Sequence, residues 1–217
     1  MYRKIGMIFI LFLATGSLFG QGFKFGILLD PAITWLRSDV PDVSRDKARM
    51  GFDLGMSIDR HFATNYAFAT GISLFNTGGT LKYNNGITMH PKGGNVDIEP
   101  GGKVKYKIQY IKIPAALKFK SHMIGRFIYS VNLGFDPLVR VSAKANFNEE
   151  KSTNSVNGEI KLFNLGWHFG GGVQYSLGED FSLFGGLSFL NTFMDMTKPN
   201  HEKVTSGNFF FRIGVMF

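Results

Sequence analysis

A period-two alternation of large apolar residues with Gly, Ser and Asp constrains the fold of this chain more than any other feature. In residues 50–59, every even position carries Met, Phe, Leu or Ile, and every odd position carries Gly, Asp or Ser. Residues 127–136 and 163–175 follow a closely similar pattern. Successive side chains of a β-strand point to opposite faces, and no helical period of comparable length is present. The chain is therefore predicted to be all-β.

Eight segments carry this alternation, and each is long enough to cross a bilayer as a tilted strand, which takes about nine to eleven residues. The segments are about 23–36, 49–60, 65–77, 105–119, 126–144, 159–176, 181–194 and 207–217. Long polar connections (37–48, 78–104, 145–158 and 195–206) alternate with short ones (61–64, 120–125 and 177–180). This order is typical of a transmembrane barrel with loops on one rim and tight turns on the other.

The first twenty residues have the three parts of a secretory signal peptide. Arg3 and Lys4 form a basic start, residues 5–14 are an apolar run, and small residues follow at 15–20. The apolar run is too short to span a bilayer as a helix. We predict a signal peptide at 1–20, cleaved near residues 20–21, and one barrel domain at 21–217.

Composition and charge narrow the class of protein further. The 217 residues include 27 Gly and 23 Phe, only 18% are charged, and there is no cysteine. Without cysteine there is no disulfide framework and no thiolate metal site. The formal net charge is +8, but the lysines cluster on no helical face, so contact with an anionic membrane is favoured over nucleic acid.

A soluble eight-stranded barrel around a ligand, like a lipocalin, would show the same alternation turned inside out. Three features oppose it: the apolar face is too bulky for so narrow an interior, the polar face is rich in glycine, and the connection lengths alternate regularly. The predicted fold is an eight-stranded antiparallel up-and-down transmembrane β-barrel in the outer membrane, following a cleaved signal peptide.

The polar face carries charged residues of both signs. We predict a lumenal polar network made of Asp53, Asp59, Lys112, Asp136, Arg140, His168 and Arg212, with Lys24, Asp30 and Lys118 on the same face. Such residues line a pore or a proton-active site in one interpretation, and pair across a filled lumen in the other. Pairing is favoured because unpaired buried charges are costly, and because eight strands leave no room for an aqueous channel.

The last strand carries a candidate assembly signal. Phe209, Phe211 and Phe217 share the apolar face, while Arg212 points to the polar one. A closed barrel needs this strand to pair with the first. An aromatic last strand that ends on Phe resembles the signal that outer-membrane assembly machinery reads.

No pattern of catalysis, cofactor binding or metal ligation is found. The five histidines lie in no nucleophile motif and have no metal-ligand spacing, and the glycines at 170–172 lack the context of a phosphate loop. The connection at 78–104 carries Lys82, His90, Lys92 and Lys103. It is interpreted as a solvated loop, with lipopolysaccharide phosphates, a glycan or a protein partner as alternative ligands.

Three stretches resemble the small outer-membrane β-barrel proteins of Bacteroidota known as PorT-like or porin-family proteins. They are GFKFGILL at 22–29, GFDLGMSID at 51–59 and YIKIPAALKFK at 110–120. The resemblance covers the mature chain and implies an outer-membrane barrel. Its name-giving member is associated with type IX protein secretion, but no motif here carries that role over.

The sequence thus favours a non-enzymatic structural or accessory protein of the outer membrane. Its expected partners are outer-membrane lipids and lipopolysaccharide, the assembly machinery and, through the long loops, another protein. A narrow solute pore, a lipid- or ligand-binding barrel and a lipid-active enzyme remain alternatives.

Overall fold

A computed structural model describes residues 22–91, 94–147, 154–178, 181–197 and 203–217. The predicted signal peptide at 1–20 lies outside these residues. Within them, no helix is long and apolar enough to cross a membrane. The strands are β1 Phe23–Ser38, β2 Val43–Lys47, β3 Arg49–Ala63, β4 Tyr66–Tyr83, β5 Ile87–Met89, β6 Val96–Ile98, β7 Gly102–Lys112, β8 Ala115–Lys120, β9 Phe127–Phe147, β10 Asn154–Ser155, β11 Phe163–Ser176, β12 Ser182–Thr192 and β13 Val204–Met216.

Eight wall strands close into an antiparallel ring, which confirms the predicted barrel. The order around the ring is β13, β1, β3, β4, then β7 with β8, then β9, β11 and β12, which pairs again with β13. The first and last strands pair from Gly26–Met216 to Ser38–Val204, so neither is left as an open edge. Closure of this kind satisfies the backbone hydrogen bonds that lipid cannot.

The predicted strand at 105–119 is interrupted. It is split into β7 and β8 at Ile113 and Pro114, although both parts pair with β4 on one side and β9 on the other. Proline has no backbone N–H to donate to a ladder, which explains the break.

At the long-loop end, called the loop rim here, the wall extends beyond its predicted limits. β4 continues to Tyr83 and β7 begins at Gly102, although residues 78–104 were predicted to be a loop. The prediction missed these ends because lysines alternate there with the apolar residues, so the pattern of a lipid-facing strand is lost. A short hairpin, β5 with β6, lies between the two strands in the sequence.

The two faces of the wall differ sharply in exposure. Leu54 is 46% exposed whereas the adjacent Asp53 is 4% exposed, so the bulky apolar face points outward and the polar face inward. An outward belt of this kind suits lipid and is opposite to the arrangement of a soluble ligand-binding barrel.

The lumen has two zones. The short turns and the termini lie at one end of the barrel, called the turn rim here, and the half of the lumen nearer to this end is polar. Apolar side chains fill the loop-rim half, including Met89 and Ile98 from the β5–β6 hairpin. The sequence analysis described only the polar network of the lumen, and this apolar filling is an addition to it. It arises because apolar residues at 81, 83, 104 and 106 face inward where the outer face meets water.

Candidate functional site

The polar zone of the lumen is the candidate functional site. Period-two alternation turns the same face of each wall strand inward, and eight charged or titratable side chains meet there. They are Asp30 on β1, Asp53 and Asp59 on β3, Lys112 on β7, Lys118 on β8, Asp136 on β9, His168 on β11 and Arg212 on β13.

These side chains form four pairs, each joining one acid to one nitrogen base. Lys118 Nζ lies 2.6 Å from Asp59 Oδ2. Arg212 Nε lies 3.0 Å from Asp30 Oδ2. The remaining two pairs are Lys112 with Asp53, and His168 with Asp136, in which Nδ1 donates to Oδ2 over 2.7 Å. Each of these four acids therefore has a basic partner, which offsets the cost of its burial.

Small residues on β4 make room for two of these pairs. Ala69 lies between Asp59 on β3 and Ala116 on β8 in the register of the sheet, and Ala67 lies opposite Lys118. These small side chains let Asp59 of β3 reach Lys118 of β8 across β4. For the other pair, small Ser73 of β4 lies opposite Lys112, whereas Phe75 lies opposite Asp53.

Aromatic rings support the cations from within the lumen. Phe184 lies under Lys118 Nζ at 5.6 Å and under Arg212 Cζ at 5.5 Å. Lys112 Nζ lies 5.3 Å from the centre of the Phe210 ring. At these distances the ring faces attract the cations. Gly172 makes space for Phe184, because a Cβ there would lie 2.6 Å from the ring.

A cavity of ≈ 70 Å³ lies among the pairs and is lined by Asp30, Lys112, Asp136, His168 and Arg212 with smaller polar side chains. Its volume suits on the order of five water molecules. Asp30 Oδ1 and Asp136 Oδ1 have no hydrogen-bond partner among the described residues. Both are acceptors that water in this cavity would satisfy.

Above the cavity, toward the loop rim, a layer of side chains closes the lumen. Phe75, Tyr110 and Phe210 are buried across it. The next layer includes a hydrogen bond of 2.7 Å from Thr77 Oγ1 to Asn208 Oδ1. The apolar zone follows, so the cavity does not continue to the loop rim.

Arg140 is the one predicted network residue that lies apart from the pairs. It sits at a bulge where Val141 is an extra residue between the partners of Gln109 and Tyr110. Arg140 is half-buried, does not line the cavity, and within the described part of the chain its Nε has no hydrogen-bond partner.

The sequence analysis left the aromatic residues of the lumen out of the candidate site. Phe184 and Phe210 occupy inward positions of strands whose other inward residues are mostly small or polar. Position parity was the available signal, and it places Phe210 on the same face as Arg212, but the predicted network was limited to charged and titratable residues.

The predicted assembly residues lie at the seam between β13 and β1. Phe211 and Phe217 are exposed on the outer surface, and Phe209 is half-buried. Phe217 exchanges two backbone hydrogen bonds of 2.8 Å with Phe25. Its ring stacks on that of Phe25 at 6.4 Å, so the final residue holds the seam at the turn rim.

The other described histidines stand apart from the cavity. His61 Nε2 is 2.9 Å from Lys120 Nζ near the turn rim, and His90 Nδ1 is 2.7 Å from Asn95 Oδ1 in the hairpin region. Lys92 and His201 lie outside the described residues. Within the part that the structure describes, no group of three or more His, Cys, Asp or Glu side chains is placed to hold a metal ion.

Residues 15–215 match the family model of the outer membrane protein beta-barrel domain. No curated protein matches the sequence.

Among solved structures, the outer membrane protein OprG from Pseudomonas aeruginosa is 12% identical, with 90% of this chain and 94% of that chain covered and a TM-score of 0.50. Neisserial surface protein A is 16% identical over 88% and 95% of the two chains, with a TM-score of 0.47. The outer membrane protease OmpT from Escherichia coli is 9% identical over 91% and 96%, with a TM-score of 0.41. At such identities, the likeness to OprG concerns the fold alone.

Proposed function

The chain belongs to the outer membrane protein beta-barrel domain family, and from this premise we propose that it is a non-enzymatic structural or accessory protein whose lumen is filled by side chains. Its place is the outer membrane, which it crosses as a multi-pass barrel. In this proposal the working surfaces are the outer wall and the loop rim, and the lumenal pairs serve stability.

The observation that carries this proposal is the closure of the lumen. A solute that entered from the turn rim would reach the ion pairs and then the layer of Phe75, Tyr110 and Phe210. Beyond that layer it would have to displace the apolar zone and the hairpin residues packed in it. Loss of one large packed side chain by substitution costs about 2–5 kcal/mol in a core. A cost of this order for each displaced residue opposes spontaneous conduction.

Conductance of the purified protein in planar bilayers tests the proposal. We expect no steady channels from the parent protein, with a general porin as the positive control for insertion. A Phe75→Ala/Phe210→Ala variant widens the closing layer and serves as the matched control for detecting a leak. Reproducible open channels from the parent would instead favour the narrow solute pore. Release of fatty acids from phospholipid vesicles would favour the lipid-active enzyme.

We also propose that the protein falls among the PorT-like barrels of Bacteroidota. Support comes from the stretch at 110–120, which forms the end of β7, the break at Pro114 and β8. A link to type IX secretion is tested by deleting the gene and measuring export of type IX cargo. Unchanged export would remove the link and leave the structural role intact.

A further inference from the structure

A group of lysines on the outer wall near the loop rim has no role in the lumen or in the fold. We call it the lysine patch, and it consists of Lys47, Lys82, Lys103, Lys105, Lys107 and Lys144. The burial of the adjacent residues shows which way these lysine side chains point. Lys82 lies between buried Leu81 and Tyr83, and Lys144 lies between buried Ala143 and Ala145. By strand alternation both side chains point outward.

The register of the sheet brings these lysines together on adjacent strands. Lys82 of β4 is the cross-strand partner of Lys103 of β7. Lys107 of β7 is the partner of Lys144 of β9. Directly opposed like charges destabilise a sheet. Such pairs work against the fold unless an anion lies beside them, and only the Lys82–Lys103 pair has one among the described residues.

Among the described residues, little negative charge lies beside the patch. Asp46 of β2 lies 3.2 Å from Lys103 Nζ. No ion pair with a described residue involves the other five lysines. On the opposite part of the loop rim the lysines are neutralised, since Lys161 pairs with Asp195 at 2.8 Å and Lys203 pairs with Asp39 at 3.2 Å. Within the described residues, the loop-rim lysines without an ion pair thus lie on one side of the barrel, and Arg37 of β1 is a single exposed cation on the other side.

The patch lies just above the apolar belt. Following β7 toward the membrane, the outward residues after Lys107 are Gln109 and Ile111, and then exposed Ile113. On β9, exposed Val141 lies three positions below Lys144. At about 3.3 Å per residue along a strand, Lys144 lies about 10 Å from Val141 and Lys107 about 13 Å from Ile111, at the height of lipid headgroups. Lys105, Lys103 and Lys82 follow at increasing distance from the apolar belt toward the loop rim.

We propose that the lysine patch binds the phosphate groups of anionic lipid headgroups in the outer leaflet. Phosphate oxygens would bridge the opposed lysines and remove their repulsion. A lipid is favoured over a soluble polyanion because the patch is on the side of the wall, continuous with the lipid-facing belt, and not on top of the loop rim. The inference is independent of whether the lumen conducts.

The experiment measures the affinity of the purified protein for bisphosphorylated lipid A in neutral-detergent micelles, by native mass spectrometry. Each lysine near an anionic membrane surface is worth about fivefold in affinity. The variant Lys105→Gln/Lys107→Gln is therefore expected to bind about 25-fold more weakly. The variant Lys105→Arg/Lys107→Arg keeps the charge and is expected to bind like the parent.

The matched control is Lys161→Gln/Lys203→Gln, which removes two positive charges from the opposite side of the loop rim and should leave lipid A affinity unchanged. Heat-modifiable gel mobility verifies that each variant is folded.

Several outcomes overturn the proposal. Equal loss of affinity in both Gln variants would show that only net charge matters. Equal binding of fully dephosphorylated lipid A would show that phosphate is not recognised. Competition by inorganic phosphate at the concentration of the lipid would show that the site binds a free anion and does not recognise the lipid. Unchanged affinity in folded Lys105→Gln/Lys107→Gln protein would remove the lysine patch from lipid binding altogether.

Discussion

Replacing Lys112 tests the idea that the lumenal pairs stabilise the barrel as compensated charges. Lys112 pairs with Asp53, also interacts electrostatically with Asp136, and lies over the rings of Phe75 and Phe210. Lys112→Met keeps the length and most of the volume of the side chain but removes its charge. Asp53 would then be a buried carboxylate without its cation.

The expected cost follows from burial. The side chains of Lys112 and Asp53 are only 13% and 4% exposed, so solvent screens them weakly. Two opposite unit charges at about 4 Å attract by about 4 kcal/mol at an effective dielectric constant of 20. Breaking a buried pair by removing one partner costs about 3–5 kcal/mol. The free energy of unfolding of Lys112→Met should fall by that amount.

The double variant Lys112→Met/Asp53→Leu removes both charges, and its stability should return to within about 1 kcal/mol of the parent. Lys105→Met is the control, because Lys105 is exposed on the outer face of the same strand and should change stability by less than about 0.5 kcal/mol in neutral detergent.

The assay is urea unfolding in neutral detergent or lipid vesicles, followed by the fluorescence of the two tryptophans, Trp35 and Trp167. The reasoning is refuted if Lys112→Met is as stable as the Lys105→Met control. It is equally refuted if the double variant is less stable than Lys112→Met alone, because the two charges would then not compensate each other.

Three further predictions concern the belt, the seam and the loop rim. Leu54→Arg, in the apolar belt, should lower the free energy of unfolding by about 2–4 kcal/mol in vesicles, and Met50→Arg near the interface by about 0–1 kcal/mol; equal costs would contradict the orientation of β3. Deleting Phe217 should reduce the amount of heat-modifiable protein that reaches the outer membrane, whereas normal insertion would leave it as an ordinary lipid-facing ring. Burial raises the pKa of Asp195, but hydrogen bonds, first that from Lys161, outweigh it and hold this pKa below the usual 3.8. Its contribution to stability is therefore present above about pH 4 and lost as the pH falls through the depressed pKa. In Asp195→Asn protein, the free energy of unfolding should therefore change less between about pH 2 and 4 than it does in the parent. An unchanged pH dependence would contradict this role.

The strands and their faces could be predicted from the alternation of residues along the chain. Alternation at 50–59 was sufficient to predict that Asp53 points inward and Leu54 outward, because a strand has a strict period of two and the two environments differ in polarity. It also predicted the eight wall strands, since long and short connections alternate between them. The apolar residues that face lipid made this signal strong.

Which charges meet depends on the closed barrel and could not be predicted from the chain. Asp30 and Arg212 are 182 positions apart, and Lys112 and Asp53 are 59 apart. Alternation gives the face of a residue but not its height in the barrel, which depends on the register of every intervening strand. The position of Arg140 illustrates this, because its cross-strand partner is Tyr110, which lies in the closing layer above the pairs.

The closure of the lumen was also beyond the sequence. Phe75, Phe184 and Phe210 are aromatic like the lipid-facing residues, and composition does not separate a ring that fills the lumen from one that faces lipid. Their direction depends on position parity within a strand, and their contacts depend on how the closed ring brings β4, β12 and β13 around one narrow interior. The loop-rim ends of the wall were missed for a related reason, because water replaces lipid outside the barrel there and lysines can occupy the outward face.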